Sequence, residues 1–195
     1  METIIEKVKL LANSSIETKK KIVMDDSLLQ MLEKIVSVVI TAFQGNRKVL
    51  FCGNGGSAAD AQHLAAELSG RFLLDRPPLD SEALHVNTSY LTAVANDYSF
   101  DDIYSRLVKA RCKPGDVIFG LSTSGESLNV INAIKASNQI GAVTVGFTGI
   151  NGGALSDICN YIIRVPSDNV ARIQEAHMLL GHIMCEIVES ELFKV

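Results

Sequence analysis

The chain has 195 residues, 47% of them hydrophobic and 21% charged, enough to bury a core, and no apolar run approaches the ~18 residues of a membrane span. Its net charge of -4 supplies no basic field for a phosphodiester backbone, which argues against nucleic acid as the main partner. Cys52, Cys112, Cys159 and Cys185 form no CxxC pair and read as reduced, buried thiols rather than a disulfide framework or a sulfur-based zinc site.

The first 45 residues are predicted to be helical. Ile5, Val8 and Leu11 or Ala12 recur at helical spacing, and a second helix starts at the acidic, cap-forming DDS and stops at Gly45. The N-terminus lacks the basic start, apolar stretch and small-residue cleavage site of a signal peptide, so a cytoplasmic location is expected. From Lys48 the pattern changes to short β-branched, apolar runs at 48–53, 83–86, 116–122, 142–148 and 161–166. Helical patterns begin between them near Ser57, Asp101 and Glu126, residues 73–82 read as a surface loop, and 169–193 form a long amphipathic helix. Strands apolar on both faces and separated by helices predict a parallel sheet covered on both sides. The expectation is one α/β domain, a three-layer αβα sandwich on a five-stranded parallel sheet, with residues 1–45 a helical extension before a core of 46–195. That extension is expected to pack on the core or on another subunit.

Ligands of open parallel sheets bind beyond the carboxyl ends of the strands. Two such ends here are rich in small polar groups: Gly53-Asn54-Gly55-Gly56-Ser57 and Ser122-Thr123-Ser124-Gly125-Glu126-Ser127. Each leads into a helix, whose free N–H groups and positive dipole end, joined by hydroxyls, make a phosphate cradle without Lys or Arg. Gly53, Gly55 and Ala58 also satisfy the dinucleotide fingerprint, but the second strand ends HVNTS, with Asn87 where a ribose-binding carboxylate would stand.

His63 and Glu67 lie four residues apart and share a helix face. On the last helix Gln174 and His182 differ by about 80° and share a face, while His177 falls ~140° from His182 and is expected to serve packing. Gln174 and His182 are also ~12 Å apart along the axis. They meet at one atom only by leaning together or by using two copies of the helix. Carboxylate and imidazole suit proton transfer next to a carbonyl, and with an amide oxygen they also suit a divalent metal such as zinc. Glu67 is a candidate for base, ligand or both.

The stretches CGNGGSAADAQHLAAELSGRF, ANDYSFDDIYSR, GDVIFGLSTSGES, GFTGINGG and RIQEAHMLLGH together resemble the bacterial phosphoheptose isomerases, members of the sugar-isomerase (SIS) domain proteins with a flavodoxin-like sheet. The likeness runs along the whole chain. It implies a cytoplasmic homotetramer with active sites between subunits. It further implies conversion of sedoheptulose 7-phosphate to D-glycero-D-manno-heptose 7-phosphate through an enediol, the first step toward lipopolysaccharide heptose. Carried over by motif, Glu67 is the general base and His182 the general acid. Asn54, Gly55, Gly56, Ser57, Glu67, Arg71, Asn96, Asp97 and Gln174 contact substrate, and Ser122, Thr123, Ser124 and Ser127 hold its phosphate. His63, Glu67, Gln174 and His182 would bind zinc. Some relatives carry an acidic residue before the Arg of RIQE. Here Ala171 stands there, so a proton-relay role for it does not carry over. Two other readings share the phosphate loop: an isomerase of another sugar phosphate, and a non-catalytic SIS protein that binds the replication initiator DnaA. The retained Glu67 and His182 favour the enzyme.

Overall fold

The computed structural model describes residues 2–193. Helix α1 (Ile4–Val23) starts at a capping box in which Thr3 and Glu6 satisfy each other's backbone N–H groups. It buries only Thr18 and Ile22 and leaves Ile4, Ile5, Val8, Leu10 and Leu11 exposed. Helix α2 (Asp26–Gln44), capped by Asp25, buries Leu28, Leu32, Ile35, Val36, Val39 and Ala42. Their three- and four-residue spacing forms one apolar stripe facing the sheet.

The strands are β1 (Val49–Gly53), β2 (Ser81–Ala83), β3 (Val117–Leu121), β4 (Val143–Thr148) and β5 (Tyr161–Arg164). They pair in parallel in the order β2-β1-β3-β4-β5. Between and after them run α3 (Gly56–Ser69), α4 (Thr88–Asp97), α5 (Ile103–Arg111), α6 (Leu128–Ile140), the single turn α7 (Leu155–Ile158) and α8 (Val170–Leu192). The two-residue alternation of strands splits the core. Val49, Phe51, Val117, Phe119, Val145 and Phe147 pack against α2, α3 and α8, while Leu50, Cys52 and Ile118 pack against α4, α5 and α6. Phe51 stacks on Phe119 with centroids 4.8 Å apart. The result is the three-layer sandwich expected, and none of its described helices is long and apolar enough to cross a membrane.

Two elements depart from expectation. The second strand is Ser81–Ala83 rather than 83–86. It is an edge strand bonded only to β1, so polar Ser81 and Glu82 are tolerated there and an apolar run is a poor guide. Helix α4 went unpredicted because Val94 is its single buried residue, too little for an amphipathic signal.

Candidate active site

In this strand order the chain leaves β1 toward one edge of the sheet and β3 toward the other, which opens a crevice beyond their carboxyl ends. Gly53 and Leu121 are register partners at its floor, so the glycine turn and the serine loop stand side by side. Gly55, at φ 56°, begins α3 with no side-chain cap, leaving first-turn N–H groups open to an outside acceptor. Ser57 is 3% exposed beneath it. In the serine loop the Ser122 Oγ lies 3.0 Å from Ser127 Oγ and 3.5 Å from Ser124 Oγ, so three hydroxyls converge on one place.

Both loops are fixed from behind. Gly125 has φ +72°, and a Cβ there would fall 1.9 Å from the Gly152 carbonyl oxygen. The loop after β4 is locked against it by Gly149 N–H donating to Thr123 O (3.0 Å) and Ala154 N–H donating to Glu126 Oε1 (2.8 Å). The Tyr104 hydroxyl donates to Gly53 O. Asn54 and Asn129 exchange two amide hydrogen bonds of 2.8 Å, joining the turn after β1 to the start of α6. The Asn54 side chain is thereby spent on Asn129, which is 2% exposed and which no motif singled out.

The second half of the site comes from α3 and α8. A Cβ on Gly181 would lie 2.5 Å from Leu64 Cδ2, so glycine lets the two helices touch there and sets their neighbours, His63 and His182, side by side. Their Nε2 atoms are 3.0 Å apart, and His63 Nε2 is 2.9 Å from Glu67 Oε1. One Nε2 carries either a proton or a lone pair, so a single hydrogen cannot satisfy both contacts. A divalent cation between the three atoms would. Ligand atoms at the 2.0–2.1 Å bond lengths of tetrahedral zinc sit about 3.3 Å apart, close to the separations present, and all three residues offer ligand atoms within 4.8 Å of one another. The donor set fits a metal.

Gln174, the fourth candidate ligand, is not in that group. Its amide lies against Gly56, where a Cβ would come 2.5 Å from Nε2, roughly 10 Å down α3 from His63. Asn96 and Asp97 are exposed at the end of α4, bonded to each other at 2.9 Å, and Arg71 is exposed just past α3. His177 is fully buried and donates from Nε2 to Thr148 O at 3.2 Å. Burial holds its imidazole down at about 4, against that hydrogen bond, which fits the packing role expected. One turn before His63, burial pushes Asp60 up to about 6 despite the imidazole beside it. A 220 Å³ cavity lined by Thr123, Ser124, Asn151 and Asp168 adjoins the serine loop. A larger one, of 680 Å³, lies at the opposite end of the sheet against Arg47, Gly115, Val143 and Tyr161, and carries none of these groups.

Residues 7–149 match the SIS domain family. The phosphoheptose isomerase of Clostridium acetobutylicum is 51% identical over 92% of this chain and 92% of its own length. That of Aquifex aeolicus is 48% identical over 95% of this chain and 96% of its own. The solved phosphoheptose isomerase of Neisseria gonorrhoeae superposes with a TM-score of 0.90 at 39% identity, covering 96% of this chain and all of that one. The chain belongs to the phosphoheptose isomerase family of SIS-domain proteins.

Proposed function

We propose that the crevice isomerises D-sedoheptulose 7-phosphate to D-glycero-D-manno-heptose 7-phosphate. The observation that carries this reading is that α3 links a hydroxyl-lined phosphate cradle at its N-terminal end to the His63–Glu67–His182 group along its later turns. Along α3 the start of the helix lies ~10 Å from His63 and ~16 Å from Glu67. The phosphate sits among Ser122, Thr123, Ser124 and Ser127 at the start of α6, where N–H groups and hydroxyls stabilise its charge. The sugar chain then runs past Gly55, Gly56 and Gln174 toward Glu67.

Glu67 takes the proton from C1 of the ketose and returns it to C2, while His182 protonates O2 and accepts the proton of O1. The enediol forms and collapses with no net change in protons. Glu67 keeps Oε1 against His63, which leaves Oε2 for the carbon-bound proton. Zinc, when bound by His63, Glu67 and His182, supplies a Lewis acid that polarises the carbonyl and steadies the enediolate. A silent binding protein would have no use for a partly buried carboxylate paired to one imidazole that in turn meets a second.

The functional unit in this reading is a cytoplasmic homotetramer with active sites between subunits. The row Ile4, Ile5, Val8 and Leu11 on α1 and the exposed Tyr98, Phe100, Leu128, Ile150 and Val170 around the crevice support it, since surfaces this apolar are seldom left to water. The buried thiol of Cys185 and the half-buried one of Cys159, for which the sequence predicts burial, are both pushed up to about 12 by desolvation, and free thiols of this kind suit a reducing compartment. The test is to incubate the purified protein with sedoheptulose 7-phosphate, with and without a chelator, and follow the sugar by NMR. Appearance of the aldose is expected. An unchanged spectrum under both conditions rejects the reading.

A further inference from the structure

We infer that the buried Arg76–Glu189 pair positions the proton-transfer group, holding the Glu67 end of α3 and the ring of Phe72 in register with His182. The inference rests on the isomerase reading. Both side chains are 2% exposed and meet Nε to Oε1 at 2.9 Å. Replacing a buried ion pair by well-packed apolar side chains is often neutral or stabilising, so cohesion alone does not call for this one. What the ion pair adds is direction, through the hydrogen bonds each partner makes.

The Glu189 carboxylate accepts three successive backbone N–H groups, from Phe72 (3.1 Å), Leu73 (2.7 Å) and Leu74 (2.9 Å), besides Arg76. Burial pushes this carboxyl up, yet those donors together hold it below the usual carboxylate range. The Arg76 guanidinium in turn donates to the carbonyls of Glu67 (2.8 Å), Leu68 (2.7 Å), Gly70 (3.2 Å) and Pro77 (3.1 Å). It therefore caps the carboxyl end of α3, where the last carbonyls have no partner within the helix. One of those carbonyls belongs to Glu67. On α8, Glu189 follows His182 by seven residues, two turns along nearly the same face. The Phe72 ring, set by its N–H on Glu189, lies 5.7 Å from the His182 imidazole at 30°. Three segments that carry or touch the reacting groups are thus referenced to one rigid pair. Arg76 and Glu189 are positioning residues, acting through Glu67 and His182.

The experiment compares Glu189→Gln with Asp116→Asn. Gln keeps the size but offers one acceptor oxygen and turns an NH₂ toward backbone donors. Asp116 is likewise a buried carboxylate accepting backbone N–H groups, from Lys48 and Lys113, at the other end of the sheet. Both variants are expected to lower the thermal midpoint. Glu189→Gln alone is expected to cut kcat for sedoheptulose 7-phosphate at least tenfold with KM within twofold, because the serine loop is untouched. A folded Glu189→Gln enzyme with wild-type kcat overturns the inference, as does an equal kcat loss in Asp116→Asn. Should Glu189→Gln not fold, Phe72→Ala decides, since the ring is partly exposed. A severalfold fall in kcat at constant KM supports the inference, and an unchanged kcat overturns it. A wild-type protein inactive on this sugar would instead reject the isomerase reading itself.

Discussion

The loops ending β1 and β3 present hydroxyls and N–H groups fixed largely by backbone atoms, with no ionisable side chain among Ser122, Thr123, Ser124 and Ser127. At the far end of α3 the groups proposed to react are ionisable side chains, His63, Glu67 and His182, set by helix contact near a buried ion pair. The difference suits the two tasks proposed for them. A phosphate keeps its charge throughout the reaction, so its binding site contributes equally to ground and transition states and need only be rigid. A proton donor or acceptor must change charge within each turnover and has to be ionisable.

The division is broken most sharply at Glu67. Glu67→Gln keeps the shape and removes the proposed base, and turnover is expected to fall on the order of 10³-fold while KM stays within a few fold, as steady-state kinetics would read. A residual rate near wild type moves the base elsewhere. The next largest effect is at the opposite end. Ser124→Ala removes one charge-assisted hydrogen bond, worth about 1.5–3 kcal/mol. It is therefore expected to raise KM roughly 10–100-fold with kcat nearly constant. Were kcat to fall and KM hold, the two ends would not be functionally separate. A third variant probes the weld between the loops. Asn129→Ala leaves both polar groups of the Asn54 amide without partners, and on the order of 3 kcal/mol of unfolding free energy is expected to be lost, measured by urea titration. Substrate affinity should fall with it, because both walls of the cradle loosen.

Much of this crevice could be read from the chain because its motifs are local. The glycine turn, the STSGES loop and the His63–Glu67 pair each lie within one strand–turn–helix, where spacing alone fixes the geometry. The supports could not be read so. Asn129 answers Asn54 across 75 residues, Tyr104 answers Gly53 across 51, and Glu189 answers Arg76 across 113, distances over which no periodicity carries information. Gln174 is instructive in a different way. Helix geometry separated it from His182 by ~12 Å, and that spacing survives as two contact points on α3, Gln174 at Gly56 and His182 at His63. The helices run in parallel, so within one chain α8 meets α3 at both of these points.

Beneath the phosphate end lies a buried titratable group that sharpens the contrast. His177 is buried against Phe147, with ring centroids 5.5 Å apart, and its N–H is given to the last carbonyl of β4, directly before the loop that locks Gly125. Burial lowers its pKa from 6.5 to about 4. A base whose folded pKa is depressed binds fewer protons in the native state, so stability is full above pH 6.5 and is lost as pH falls toward 4. Between pH 6.5 and pH 5 this one imidazole is expected to remove on the order of 2 kcal/mol. His177→Leu, which also deletes the unpartnered Nδ1, should flatten that part of the stability–pH curve in thermal or urea unfolding. A wild-type curve already flat over this interval would mean that His177 charges without leaving its place. The Thr148 carbonyl, and the loop that follows it, would then be held by something other than a neutral ring.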